Sequence, residues 1–137
     1  MGGTADQSAE AAALATRLGI TQGMTVQEVG YDTDTDDLVA EAVETGSGEP
    51  MVEEDYGGVV DVVLLWWRAD DGDLGDALVD AMVPLADNGV IWLLTPKHGR
   101  SGALEPADIP DAASTSGMRR TTSVTLANWQ AVRLVPR

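Results

Sequence analysis

The run Val59-Val-Asp-Val-Val-Leu-Leu-Trp-Trp67 constrains this chain more than any other segment. It has the length of a strand, is rich in β-branched and aliphatic residues, and lacks alternation between apolar and polar positions. Such a strand is buried on both faces, as at the centre of a parallel sheet, and parallel strands need long crossovers that are usually helical. The flanking sequence supplies candidates. Asp71-Gly-Asp73 leads into a helix reaching about Ala86, with Leu74, Ala77, Leu78, Ala81, Met82 and Leu85 on one side. Asn88-Gly89 then turns the chain into a further buried strand, Val90-Ile-Trp-Leu-Leu94.

Upstream, Ala11, Leu14, Ala15 and Leu18 mark a helix from about Ser8, stopped by Gly19. A strand over Thr25–Val29 follows, and Thr33 or Asp34 is placed to cap a helix running to about Thr45. Downstream, a brief helix from Pro110 to Ser116 precedes two alternating segments, Thr121–Thr125 and Trp129–Val135, which read as a hairpin. The expected fold is a three-layer α/β/α, Rossmann-like domain of about five strands, mostly parallel with a C-terminal antiparallel hairpin. Its 137 residues suit one domain over 9–137, with residues 1–8 as a disordered tail.

Charge narrows the function classes. Residues 28 to 55 hold eleven carboxylates, and no Lys or Arg stands between Arg17 and Arg68. This acidic balance argues against direct binding of the first half to a nucleic-acid backbone; a well-solvated acidic surface is the plain reading, and a face that docks on a basic partner or imitates nucleic acid the sharper one. The absence of cysteine excludes disulfides, thiolate metal sites and cysteine nucleophiles. The longest apolar run, Val62 to Trp67, is too short to cross a bilayer, and no basic-then-apolar leader opens the chain. No membrane association is expected, and a cytoplasmic location is the default.

The strand ending at Val29 runs into Gly30-Tyr-Asp-Thr-Asp-Thr-Asp-Asp37, the layout of a strand, a tight turn and a helix start. A phosphate or carboxylate ligand there would meet Asp32, Asp34, Asp36 and Asp37 where a cofactor-binding turn has glycines. Helix capping on a solvated face is the plain reading of these aspartates, a protein-docking patch the sharper one. Asp32, Asp34 and Asp37 are also candidate ligands for a divalent metal, although the calcium-loop pattern is incomplete. Trp66 and Trp67 point to opposite faces of their strand. Arg68 is placed to neutralise Asp32 or Asp70, Trp92 belongs in the core, and Trp129 at a sheet edge or interface. Lys97 and the single histidine, His98, sit in a polar loop after the third strand. No triad or nucleophile elbow surrounds them, and no catalytic residue is assigned.

Glu28-Val-Gly30, Val60-Asp-Val-Val63, the passage Pro84–Trp92 and the closing hairpin together resemble the class I S-adenosylmethionine-dependent methyltransferase fold in shortened form. The resemblance implies cofactor contacts at Gly30, Tyr31 and Asp32, of which only Gly30 matches the family's glycine-rich loop. A fuller likeness is to a small, functionally uncharacterised family common in actinobacteria. It is carried by the acidic tract after Gly30, Asp61-Val-Val-Leu-Leu-Trp-Trp-Arg68, Gly89-Val-Ile-Trp92, Leu94-Thr-Pro-Lys97 and Ser123-Val-Thr-Leu-Ala-Asn-Trp129. The leading expectation is a non-catalytic regulatory or protein-interaction module on a degenerate methyltransferase-like scaffold, without a cofactor. Asp32, Asp34, Asp36, Asp37, Trp67, Arg68, Lys97 and His98 would contact the partner. The alternative is a small-molecule sensor or an atypical S-adenosylmethionine-dependent methyltransferase.

Overall fold

The computed structural model describes residues 2–137, with side chains from Ser8 onward. In chain order it contains α1 (Gly2–Leu18), β1 (Val26–Val29), α2 (Asp37–Ser47), β2 (Val60–Trp66), α3 (Leu74–Met82), β3 (Leu85–Pro96), α4 (Asp108–Ser116), β4 (Met118–Thr125) and β5 (Trp129–Pro136). The five strands form one sheet in the order β1-β2-β3-β5-β4. β1, β2 and β3 run parallel, and the β4–β5 hairpin joins antiparallel to β3.

The unalternating run behaves as its composition demands. Val62, Leu64 and Trp66 of β2 pack with Trp92 and Leu94 of β3 beneath α1 and α2. Val60, Val63 and Leu65 face the other way, with Ile91 and Leu93, beneath α3 and α4. Both faces of β2 and of β3 from Val90 onward are therefore dry, and the large side chains Trp66 and Trp92 are almost fully buried. Each buried indole N–H finds an acceptor: Trp66 Nε1 donates to Glu28 Oε2 at 2.9 Å, Trp92 Nε1 to the Leu18 carbonyl at 3.0 Å. That pairing offsets the cost of burying a donor among aliphatic groups.

The outer side of β1 carries one parallel bridge, Gln27 to Val52. The N–H of Val52 donates to the Val26 carbonyl and the N–H of Glu28 to the Val52 carbonyl. The chain thus leaves β1, returns through α2 to lie outside β1, and then crosses to β2 on the inner side. Residues 53–59 make that second crossing without a helix.

Several boundaries differ from expectation. α1 starts at Gly2 rather than at about Ser8. α2 is capped by Asp36, whose carboxylate accepts from the Leu38 N–H, and not by Thr33 or Asp34. The reason is that Asp32 organises its own turn, accepting from the Thr33 N–H through Oδ1 and from Thr35 through its carbonyl, while Asp34 is drawn to Arg68. α3 stops at Met82, not Ala86, because the Pro84 carbonyl accepts from the Val60 N–H and pairing with β2 begins at Leu85. Asn88-Gly89 is consequently not a free turn. It lies in an irregular stretch of β3 where the register with β2 shifts between Val60 and Val62.

Candidate functional site

The carboxyl ends of β1 and β2 meet at Gly30, and that junction is tightly held. Gly30 has φ +83°, the left-handed region, and a Cβ there would run into the Trp66 carbonyl. Only glycine suits both conditions. Its N–H donates to Glu54 Oε2 at 3.0 Å, and its carbonyl accepts from Arg68 at 2.8 Å.

Arg68, one residue past Trp67, is the centre of this junction. Its guanidinium forms a two-pronged pair with the Asp34 carboxylate, bonds to Asp71 at 3.4 Å, and lies 5.2 Å from the Trp129 ring centroid. The planar fork suits a carboxylate and an aromatic face at once. The hydrogen bond from Arg68 holds the Asp34 carboxyl below the ordinary aspartate value. Reciprocally, Asp34 holds Arg68 more firmly in its charged form. Arg68 therefore pairs with Asp34 and Asp71, not with Asp32 or Asp70 as the sequence suggested. Trp129 is not an edge residue either: it is buried, stacks edge-on to Trp66 at 4.8 Å and donates Nε1 to the Asp34 carbonyl. Strand β5 lies between β3 and β4, which places its first residue inside the sheet.

Beside this clamp, Glu28, Tyr31, Glu53, Glu54 and Asp55 line an acidic recess of about 540 Å³. Burial raises the Glu28 carboxyl above its usual range; the Trp66 hydrogen bond opposes that shift, and the nearby Glu54 charge adds to it. Such a recess offers acceptors to hydroxyl or ammonium groups and repels phosphates. Glu28 and Glu54 were not singled out from sequence. An acidic residue inside an otherwise apolar strand was the available signal for Glu28; Glu54 lay in an unpatterned loop.

The other expected site residues are spread over separate faces. Asp34, Asp36 and Asp37 line a cleft between α1, the start of α2 and the β4–β5 turn. Asp32 and Tyr31 are exposed near Gly30. Trp67 faces the opposite side of the sheet, beside α3. Lys97 is tied through its N–H to the Asn128 carbonyl, and His98 is exposed in the loop that follows. Among the described residues, no group of three or more His, Asp or Glu side chains is arranged to hold a metal ion. None of their helices is long and apolar enough to cross a membrane.

Residues 15–137 match the pattern of a family described as a protein of unknown function (DUF3052). The chain belongs to this family. DUF3052 relatives include the uncharacterized proteins Mb2263c of Mycobacterium bovis and Rv2239c of Mycobacterium tuberculosis. Each is 49% identical over 134 residues, covering 98% of this chain and 85% of the relative. The actinobacterial likeness seen in the sequence is thereby shown. Among solved structures, the DUF3052 chain is similar to the ribosomal protein L11 methylase of Lactobacillus delbrueckii subsp. bulgaricus, with TM-score 0.65, 14% identity, and coverage of 96% of this chain and 79% of that one. It is also similar to magnesium protoporphyrin IX methyltransferase of Synechocystis PCC 6803 with bound SAM, with TM-score 0.62, 12% identity and the same coverages. At these identities the likeness concerns the fold, which is Rossmann-like and methyltransferase-like.

Proposed function

We propose that this DUF3052 chain is a non-catalytic protein-interaction module built on a methyltransferase-like scaffold. The observation that carries the reading is the Arg68 clamp. In open α/β sheets, ligands enter the crevice outside the carboxyl ends of the strands. Here Arg68 ties Gly30, Asp34 and Asp71 together at that place, and the Glu54 carboxylate occupies the Gly30 N–H. Groups that a ligand would engage are thus already engaged by the chain. The exposed carboxylates at the start of α2, Asp32 and Asp37, then form the face offered to a basic partner, with Asp36 committed to capping.

The second reading, a small-molecule sensor or atypical methyltransferase, draws support from the recess at Glu28. Glu54 stands 24 residues beyond Gly30, just after the bridge at Val52. In dinucleotide-binding sheets a carboxylate about 20 residues past the glycine turn accepts from ribose hydroxyls. Calorimetric titration with S-adenosylmethionine and S-adenosylhomocysteine separates the two. The interaction module predicts no saturable heat and no shift in melting temperature. Stoichiometric binding that disappears in Glu54→Gln would replace it with the sensor or enzyme.

A further inference from the structure

We propose that the groove between the β1–β2 face and α3 receives an amphipathic, basic helix of another protein. Crossings between parallel strands usually carry a helix that covers the sheet. The crossing from Val52 to β2 passes over β1 with none, and its residues Tyr56 to Val59 form one wall of the groove. The opposite wall is α3, and the floor is Val29, Leu65 and Trp67. The space between them is about 780 Å³. α1 and α2 cover the other face of the sheet, whereas on this face α3 stops short of β1.

Three features define the occupant. Ala77 and Ala81, one turn apart on α3, line the groove and permit the close approach typical of packed helices. Glu54, Asp71, Asp73, Asp76 and Asp80 stand around it, and its lining contains no Lys, Arg or His. Asp76 and Asp80 are also one turn apart, a spacing that pairs with basic residues at i and i+4 on a facing helix. The lining of the groove reaches from Val59, Val83 and Pro84 to Trp67 and Asp71, with Leu65 from β2 in the floor. Val59 and Val83, 67% and 81% exposed, give the apolar face of such a helix further area to cover. This surface lies across the sheet from the start of α2, so it stands whether or not that acidic face has a partner.

The test uses a labelled synthetic Leu/Lys helix of 15 residues, with two controls: a Leu/Glu helix, and a lysine peptide of equal charge without an apolar face. Fluorescence anisotropy reads affinity and methyl NMR reads location. Binding of the Leu/Lys helix alone is expected, with shifts centred on Val29, Leu65, Ala77 and Ala81. The double variant Asp76→Lys/Asp80→Lys should weaken it about tenfold or more. Ala77→Leu, which fills the groove without adding charge, should weaken it as well and serves as the second check if charge reversal lowers the melting temperature. Asp32→Lys/Asp37→Lys should leave this affinity unchanged, which keeps the outcome separate from that for the α2 face. The proposal is overturned by equal binding of the plain lysine peptide, by shifts centred on α2, or by no binding.

Discussion

At the scale of single residues, two carboxylates respond to pH in opposite directions. Asp34 is held below its ordinary 3.8 by Arg68, so its contribution is present above that pH and is lost as pH falls through the lower folded value. The Asp34 side chain is half exposed, and solvent screening limits the pair to about 1 kcal/mol or less. Glu28 has the reverse sign. Burial lifts it above 4.5, so the folded state holds that proton more tightly, and the contribution is complete below pH 4.5 and lost as pH rises through the folded value. Glu28→Gln keeps an oxygen for Trp66 Nε1 and removes the buried charge. Because desolvation outweighs the hydrogen bond there, the variant should melt higher than the parent at about pH 7, with the gap closing as pH falls through the raised folded value and closed by pH 4.5. Thermal melts across that range read the effect directly. A variant less stable at neutral pH would show that the indole prefers the ionised acceptor.

At the scale of elements, the start of α2 shows how far local chemistry reaches. Thr33, Asp34 and Asp36 are all competent caps, and the flanking sequence cannot rank them. The choice is made from 34 residues away, where Arg68 draws Asp34 out of the cap position. Asp36→Ala should therefore cost about 1 kcal/mol in urea unfolding, whereas Thr33→Ala should cost less than about 0.5 kcal/mol. Equal costs would place the cap elsewhere. The strands of the core were legible because burial on two faces leaves a signature in composition; the hairpin was legible as two strand-length segments around a short turn, although alternation misstates its burial, since β5 is dry on both faces and β4 is largely exposed. The far end of α3 was not. Its apolar periodicity continues through Leu85, but the bond from Val60 to the Pro84 carbonyl converts that residue to strand. The site was legible in part: Gly30 and Arg68 stood out, while Glu54 and Asp71 acquire meaning only once β1 and β2 lie side by side.

For the whole molecule, the net charge of −15 sets the balance of long-range forces. Self-repulsion among so many carboxylates destabilises the compact state, and salt screens it beyond about 10 Å at 0.1 M. Raising sodium chloride from about 0.02 M to 0.5 M should increase the melting temperature. A decrease would mean that ion pairs such as Arg68–Asp34 outweigh the general repulsion. The strand order carries a separate consequence, for synthesis. β5 lies between β3 and β4 although it is made after both. While the ribosome is still adding residues 118–125, β4 has no neighbour in the growing sheet, and the exposed side of β3 waits open. The two strands of the hairpin are joined by only three residues, so their pairing is local and can precede the docking of β5 onto β3. A translational pause before Trp129 would prolong the life of an unpaired, strongly apolar edge, which is the state most exposed to chaperones and to aggregation.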